Sequence, residues 1–302
     1  MYAIRKSDLK KFTPNAQSVC RIEEGNTNGY LREDRIVEEI LRSIEPRYNA
    51  AVAKLISDNI DSECIYTIAG FTAYVITCSP TGMRVHSDHM RSMVETAAFA
   101  TDARGLLPPP PEKLGGARLA ELLRDGHIQI TVDPKYPQAM GITTILKDIA
   151  VFGNSRWDIL LNDFDESPFF TSDFPVAIEK TRDWRVLNRI VPLAPNLAVR
   201  IKPDLNMDRK RADFSFTNFD RRIRHVSLQE IAKINELIVR CAEDSVFYRD
   251  DLAWVEKFIA KNRCYRIEPI TNKIPQGNGT LVISSQRILP WRADRVDQEH
   301  VI

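Results

Sequence analysis

Apolar residues in the first third of the chain recur at the three-to-four-residue spacing of one helical face. This pattern runs from residue 36 to 56 and predicts an amphipathic helix, in which Pro46 predicts a kink or a break and restart. Residues 62–79 are nearly apolar all round, which predicts a helix in the centre of a bundle. A third helix is expected over residues 87–103, with four side chains facing inward: Met90, Met93, Val94 and Ala97.

The middle of the chain begins with a segment that suits neither a helix nor an inner strand. The prolines at 108–111 are followed by Gly115-Gly116, which predicts a polyproline loop or linker. A short helix is expected near 119–123, and the alternation of residues 127–132 predicts a strand. Residues 138–152 predict another helix, whose inner face carries Ile145, Leu146, Ile149 and Phe152.

Short runs rich in β-forming residues begin at Trp157, and turn residues separate them. Their close spacing favours antiparallel hairpins over parallel crossovers. The runs are 157–162, 168–171, 175–179, 187–193 and 197–202.

The last part of the chain predicts two helices followed by two strands. Ser227 and Glu230 form a capping box, in which each side chain satisfies a free backbone amide at the start of a helix. A second helix is expected at about 251–261, and residues 264–270 and 280–284 have the composition of strands.

Together these elements predict an α+β fold in which a helical N-terminal part packs on an antiparallel β-sheet, with C-terminal helices. We divide the chain into a mainly helical part (1–105), a Pro-rich loop with connecting helices (106–155), and an antiparallel sheet with C-terminal helices (156–302). A length of 302 residues fits one large or two moderate domains, and we expect one integrated fold.

Composition narrows the class of protein. The net charge of +1 provides no global attraction to nucleic acid or to an anionic membrane. The five scattered cysteines contain no Cys-x-x-Cys pair, which indicates reduced thiols and a cytoplasmic location. The charge-free stretch between Glu63 and Arg84 is interrupted by polar residues and is too short to span a membrane, so no membrane association is expected. No signal peptide is expected, because residues 1–11 lack an apolar core.

Several common activities lack their sequence signature. The chain has no Gly-rich phosphate loop and no Gly-x-Ser-x-Gly elbow. A restriction-type nuclease pattern after Asp173 requires an acid at Ile178 before Lys180, and it fails. His86 and His89 share one helical face and are a two-ligand fragment of a zinc site, although Ser87 or Asp88 as a helix cap explains this segment better.

Asp173 is the first candidate for chemistry. It follows Thr171 and Ser172 at the end of a predicted strand, where a carboxylate with two hydroxyls suits a metal ligand or a general base. With the acids at 163, 165 and 166 it would form a pocket for Mg²⁺ or Mn²⁺. The alternative is structural, because an Asp before x-Pro commonly caps backbone amides in a turn.

The stretch 200–225 is basic and contains interleaved aromatic residues. Cations with aromatics suit phosphate contacts and base stacking, which makes nucleic acid or a phosphate-bearing ligand a candidate partner. Arg200 and Arg222 are the candidate substrate-binding residues. A solvated loop with core phenylalanines explains the same composition. The residues concerned are Arg200, Lys202, Arg209, Lys210, Arg211, Phe214, Phe216, Phe219, Arg221, Arg222 and Arg224.

Four features together resemble the domain of unknown function 4238 family. They are the segment Phe170-Thr171-Ser172-Asp173-Phe174-Pro175-Val176 after Trp157-Asp158-Ile159-Leu160, the turn Val191-Pro192-Leu193-Ala194-Pro195, the pair Ile234-Asn235 followed by Ala242 and Val246-Phe247, and an early helix with Glu38 and Glu45. The resemblance is expected to cover about Tyr30 to Tyr248. It implies no particular reaction.

This chain departs from the family pattern in two places. The His-x-x-x-Pro-x-x-Tyr-Leu segment with which family members usually begin is missing, and the second helix ends in Cys78-Ser79-Pro80 where an arginine usually precedes the last two residues. If that histidine and arginine belong to a site, the resemblance implies a truncated or inactive member.

Two functions remain open. The first is a metal-assisted hydrolase acting on nucleic acid or a phosphorylated small molecule, with Asp173 as ligand or base, Thr171 and Ser172 orienting it, and Arg200 or Arg222 binding the anion. The alternative is a non-catalytic binding or regulatory module. An enzyme should place Asp173 in a concave pocket with at least two converging polar side chains, whereas a binding module leaves it in a turn, bonded to backbone.

Overall fold

The structure, a computed structural model, describes residues 1–15, 25–108, 110–208, 213–277 and 279–291. Helices and strands within these ranges form the predicted α+β fold. The helices are α1 (Ile36–Ile56), α2 (Ser62–Cys78), α3 (Pro80–Ala103), α4 (Leu119–Arg124), α5 (Lys135–Gly153), α6 (Leu228–Cys241) and α7 (Ala253–Asn262). The strands are β1 (Tyr2–Arg5), β2 (Lys11–Phe12), β3 (Arg156–Leu161), β4 (Thr171–Ser172), β5 (Ala177–Lys180), β6 (Leu187–Ala194), β7 (Leu197–Lys202), β8 (Asp220–His225), β9 (Ser245–Tyr248), β10 (Tyr265–Gln276) and β11 (Gly279–Pro290).

The strands form two sheets and a separate hairpin. One sheet has the order β5-β6-β7-β3-β8, the other has the order β2-β1-β9-β4, and β10 pairs with β11. The predicted antiparallel sheet contains one parallel pair, because β3 is antiparallel to β7 but parallel to β8. The reason is that β8 does not follow β7 through a hairpin turn. The connection 203–219 carries the chain past β3 before β8 begins.

The N-terminus contributes a strand that the sequence pattern did not predict. β1 lies between β2 and β9, and it pairs antiparallel with β9 from Tyr2 opposite Tyr248 to Arg5 opposite Ser245. Ala3 is completely buried in this position. The pairing of β1 with β9 could not be predicted from local pattern, because the two strands lie about 240 residues apart in the sequence.

α2 is the central helix, as predicted, and it packs against α1 and α5. Asp61 caps its first turn by accepting a hydrogen bond from the Cys64 backbone N–H at 2.8 Å. Two buried threonines satisfy their hydroxyls within the helix, Thr67 on the Glu63 carbonyl and Thr72 on the Ile68 carbonyl. No helix among the residues described is long and apolar enough to cross a membrane.

α3 begins seven residues earlier than predicted, because Ser79 caps it and Pro80 occupies its first turn. The prediction that Ser87 or Asp88 caps this helix is therefore wrong. Its inward face was also misplaced: Met93, Val94 and Ala97 are exposed, and Met83 and Val85 are buried. The inner face of α5 is Ile142, Ile145 and Ile149, whereas Leu146 is exposed.

Two further local predictions are corrected. α1 continues through Pro46 without a break. Residues 127–132 pair with no strand in the described part of the chain, although alternate residues are partly buried. The alternation that predicted a strand there arises because one side of this segment packs against the protein. No neighbouring strand of the described chain is paired with it.

The five-stranded sheet lies between α6 on one face and α3 with α5 on the other. Adjacent residues of a strand point to opposite faces. Arg200 of β7 accordingly reaches Glu230 at the start of α6, while Arg189 of β6 interacts electrostatically with His86 of α3 and Asp148 of α5. This arrangement creates a charged cluster on each face.

Candidate functional site

Asp173 follows β4 and accepts hydrogen bonds from three consecutive backbone N–H groups. Oδ1 accepts from Glu243 at 3.0 Å, and Oδ2 accepts from Asp244 at 2.7 Å and from Ser245 at 3.0 Å. Burial raises the pKa of Asp173 to about 6, and the three donors act in the opposite direction. Ser172 Oγ likewise accepts from a backbone N–H, that of Phe174. The carboxylate thus closes the loop that follows α6, which is the geometry of a turn cap.

Lys6 is a buried charge next to this cap. It is 1% exposed, and its Nζ donates to the carbonyls of Ala242 at 2.5 Å and Tyr265 at 2.7 Å. Burial lowers the pKa of Lys6 to about 8, while the nearby Asp173 carboxylate acts to raise it. Lys6 and Asp173 together connect the N-terminus, the end of α6 and the start of β10.

Arg84 of α3 joins the same region from the other side. Its guanidinium forms a bidentate pair with Glu243 at 2.8 and 2.9 Å and contacts Glu268 at 3.3 Å. Thr81 Oγ1 adds a hydrogen bond to Glu243 at 3.1 Å. Cys78, which stands where the family usually has an arginine, is buried one residue before the α3 cap.

Arg200 belongs to a closed ion-pair network on the α6 face of the sheet. Its Nε lies 3.0 Å from Glu179 and its Nη1 lies 3.0 Å from Glu230. Lys202 pairs with Asp158, which is 2% exposed and opposite Arg200 in the sheet register. Glu230 completes the network through an ion pair with Arg224 at 2.7 Å. Of the predicted capping box only the Ser227 half is present, because the Glu230 side chain is engaged in this network.

The remaining basic residues of the stretch 200–225 are largely engaged by the fold. Arg221 pairs with Asp58 at 2.8 Å, and Phe216 is buried against Gly153. Phe219 packs edge-on against Trp157. Arg222 lies exposed on β8, in register with Asp158. Arg209, Lys210 and Arg211 lie outside the residues that the structure describes.

The structure therefore separates the predicted catalytic and substrate-binding residues. The Arg200 network lies at the start of α6 and the Asp173 cap lies beyond its end. Glu230 and Glu243 mark these two places, and a helical rise of 1.5 Å per residue puts them roughly 20 Å apart. Thr171, Ser172 and Asp173 are brought together, and Arg200 and Arg222 share a sheet face, but the two groups do not converge.

A cavity of about 520 Å³ lies on the opposite face of the sheet. Segments from six parts of the chain line it: α3, α5, the β5–β6 loop, β6 itself, the residues after β7, and β11. Its polar and aromatic lining includes His89, Asp148, Trp184, Arg189, Ser285 and Gln286. The volume lies within the range of cavities that bind small molecules.

Arg189 is the charged centre of this cavity. Nη1 donates to Gln286 Oε1 at 3.1 Å, and no carboxylate in the described ranges lies within ion-pair distance of its guanidinium. Burial lowers the pKa of Arg189 to about 10, while Cys241 and Asp148 act to raise it. The group is therefore a cation at neutral pH that the described protein leaves without a direct anionic partner.

His89 lines the same cavity, and its Nδ1 is buried without a hydrogen-bond partner among the residues described. Burial lowers its pKa, so the imidazole is neutral at pH 7. Burial also lowers the pKa of His86, and neighbouring His89 and Arg189 lower it further. Across the described ranges, no three His, Cys, Asp or Glu side chains form a group that could hold a metal ion. The Mg²⁺, Mn²⁺ and zinc hypotheses thus gain no ligand set there.

Sequence reasoning did not single out Arg189, Asp148, Trp184 or Gln286. One signal was present: Arg189 stands in the run Leu187–Ala194, where the strand is otherwise mostly apolar. A charge in such a run points to a buried site. The residues that surround Arg189 could not be found in this way, because they come from distant segments.

Comparison with known protein families agrees with the motifs around Asp173. Residues 1–251 match the family described as "Protein of unknown function (DUF4238)". The chain belongs to this family. The match begins before Tyr30, so β1 and β2 lie inside the DUF4238 region, as do Asp173 and Arg189. Comparison with curated proteins and with solved structures gives no significant match.

Proposed function

We propose that this DUF4238 protein is a non-catalytic binding module for a small anionic ligand, held in the cavity around Arg189. The observation that carries the proposal is the Arg189 guanidinium at the cavity, which bonds to Gln286 and forms no ion pair with any residue that the structure describes. A partly buried arginine with no carboxylate in direct contact favours an incoming carboxylate or phosphate, because its planar fork binds such groups through two parallel hydrogen bonds.

The other polar groups of the cavity support the same ligand class. Ser284 lies on the same face of β11 as Gln286, and Gln286 already orients Arg189. Asp148 adds one negative charge, so the ligand would need to direct its anionic group to Arg189.

The environment of Asp173 favours a binding module over a metal-assisted hydrolase. Its hydrogen bonds in the described structure all come from backbone N–H groups, and it does not line the cavity. Hydrolysis of nucleic acid or of a phosphorylated substrate stays a prediction, as do the roles of Thr171 and Ser172 in it. Nucleic-acid contact through 200–225 also stays a prediction.

The test is anion binding by the wild type and by two matched variants. Isothermal titration and thermal unfolding would be measured with phosphate and with acetate, on wild type, Arg189→Gln and Arg222→Gln. A ligand at 100 times its Kd adds about 2.7 kcal/mol to the free energy of unfolding. We expect this gain in wild type and Arg222→Gln, and its loss in Arg189→Gln.

Two results would contradict the proposal. Absence of anion-dependent stabilisation in the wild type removes it altogether. Equal binding by Arg189→Gln, with a loss in Arg222→Gln, moves the site to the basic face that the sequence predicted.

A further inference from the structure

We infer that the ligand of this cavity is a nucleoside monophosphate, with its base stacked on Trp184 and its phosphate bound by Arg189. The inference rests on the proposed function, since it names the ligand of the same site. The proposed function concerns the anionic group alone, and this inference adds a planar ring that stacks on Trp184.

Trp184 has the position and exposure of a stacking surface. It lines the cavity, yet its side chain is 68% exposed. An apolar ring of this size is normally buried, and an exposed aromatic face beside a cavity is well suited to a planar ligand. Stacking of a base on an aromatic side chain contributes about 1–3 kcal/mol.

The loop that carries Trp184 is built to present it. Thr181 Oγ1 accepts from the Asp183 N–H at 3.1 Å, and Asp183 accepts a bidentate pair of hydrogen bonds from Arg185 at 2.9 and 2.7 Å. The Val186 N–H donates to the Asp183 carbonyl at 3.0 Å. These contacts fix the residues on both sides of Trp184, so little conformational entropy is lost when a ring stacks on it. They also neutralise Arg185, which leaves Arg189 as the cation for the phosphate among the described residues that line the cavity.

The cavity has groups for each part of such a ligand. Arg189 matches two phosphate oxygens, and the hydroxyl of Ser284, on the Gln286 face of β11, can donate to a third. The Asp148 carboxylate also lines the cavity and would repel the phosphate, which directs the phosphate toward Arg189. A volume of about 520 Å³ accommodates one nucleotide.

The experiment separates the ring from the phosphate. AMP and CMP would be titrated calorimetrically against wild type, Trp184→Ala, Trp184→Phe and Arg189→Gln, with ribose 5-phosphate as the ligand without a base. The stacking energy corresponds to roughly 5- to 150-fold in affinity. We expect the nucleotides to bind wild type more tightly than ribose 5-phosphate by such a factor. Trp184→Ala should abolish this difference without changing ribose 5-phosphate binding, and Trp184→Phe should retain most of it.

Each of the other possible results contradicts either the nucleotide inference or the proposed function. Equal affinity of wild type for AMP, CMP and ribose 5-phosphate, or nucleotide affinity unchanged by Trp184→Ala, overturns the nucleotide inference and leaves the anion site standing. Failure of all the phosphorylated ligands to bind wild type overturns the proposed function as well. Because Trp184 is exposed, its replacement should leave the thermal midpoint of the free protein unchanged, which serves as the folding control.

Discussion

The carboxylate of Asp173 accepts hydrogen bonds from three backbone N–H groups that follow the end of α6. Asp173→Ala leaves these donors without an acceptor, which we expect to lower the free energy of unfolding by about 2–4 kcal/mol in urea titration. Asp173→Asn should lose less, because it keeps one carbonyl oxygen. Asp165→Ala is the matched control, since that carboxylate is 95% exposed and should change stability by less than about 0.5 kcal/mol.

A metal-dependent gain in stability would contradict the interpretation of Asp173 as a turn cap. If Mn²⁺ or Mg²⁺ raises the thermal midpoint of wild type and Asp173→Ala removes that rise, Asp173 is a metal ligand. The hydrolase hypothesis would then replace the binding module.

Three buried thiols predict a loss of stability in alkaline solution. Burial raises the pKa of Cys64 and Cys78 to about 12 and that of Cys241 to about 11, from the model-compound value of 9.0. The unfolded chain releases these protons first, so their stabilisation is complete below pH 9 and is lost as the pH rises through 9 toward 12. Lys6 opposes this, because its pKa of about 8 lets the folded state release a proton before the unfolded chain does.

We expect the three thiols to outweigh the one lysine between pH 9 and pH 10. The free energy of unfolding should fall by about 1 kcal/mol for each thiol over that interval, less a similar gain from Lys6. Guanidinium unfolding at both pH values measures the slope. Cys241→Ala should make the slope shallower than in wild type, and an unchanged slope would show that this thiol is not the source.

The junction of α2 and α3 depends on a glycine. A Cβ on Gly82 would lie 2.0 Å from the carbonyl oxygen of Ile76, which is backbone and cannot move aside cheaply. Gly82→Ala should therefore destabilise by about 1–3 kcal/mol, although alanine is the better helix former by about 1 kcal/mol. Gly29→Ala is the control, because nothing lies within 4 Å of its Cβ position. A Gly82→Ala protein as stable as wild type in thermal unfolding would contradict this close approach.

The ion-pair network at the start of α6 indicates that Arg200 stabilises the fold, whereas the sequence predicted that it binds substrate. A substitution can distinguish these two roles. Arg200→Met leaves Glu179 without a cation partner among the described residues, while Glu230 keeps Arg224 and Asp158 keeps Lys202, and we expect a loss of about 3–5 kcal/mol in chemical denaturation. Anion affinity of the folded variant should stay at the wild-type value. A variant of normal stability that no longer binds the anion would assign Arg200 to the site.

In the folded molecule, segments that are far apart in the chain come together at two places. β1 pairs with β9, and Lys6 contacts the end of α6, so the first residues and residues 242–248 form one structural unit. The cavity joins residues from 89 to 286 on the opposite side of the sheet from the Arg200 network. The three-part division of the chain at 105 and 155 stays a prediction, because contacts of this kind show packing and not independent folding.

Helices and strands that depend on neighbours in sequence were predictable here. The period of α1, the cap at Ser227 and the β-rich runs after Trp157 are local signals, and each corresponds to an observed element. Four sequence features together, including the segment around Asp173, were likewise enough to indicate the DUF4238 family. The burial of Met93, Val94 and Leu146 was predicted wrongly, because periodicity shows that a helix has an apolar side but not which neighbours cover it.

The β1–β9 pairing, the parallel β3–β8 pair and the cavity follow from contacts between residues far apart in the chain. No periodicity encodes which strand lies beside which, because a register is chosen by burial of the whole face at once. For the same reason Arg189 was one charge in an apolar run in the sequence, whereas in the folded protein it is a cation at a cavity with Gln286 as its hydrogen-bond partner. The chain pattern was sufficient for the elements and the family, and the packing of the sheet against α3, α5 and β11 created the candidate site.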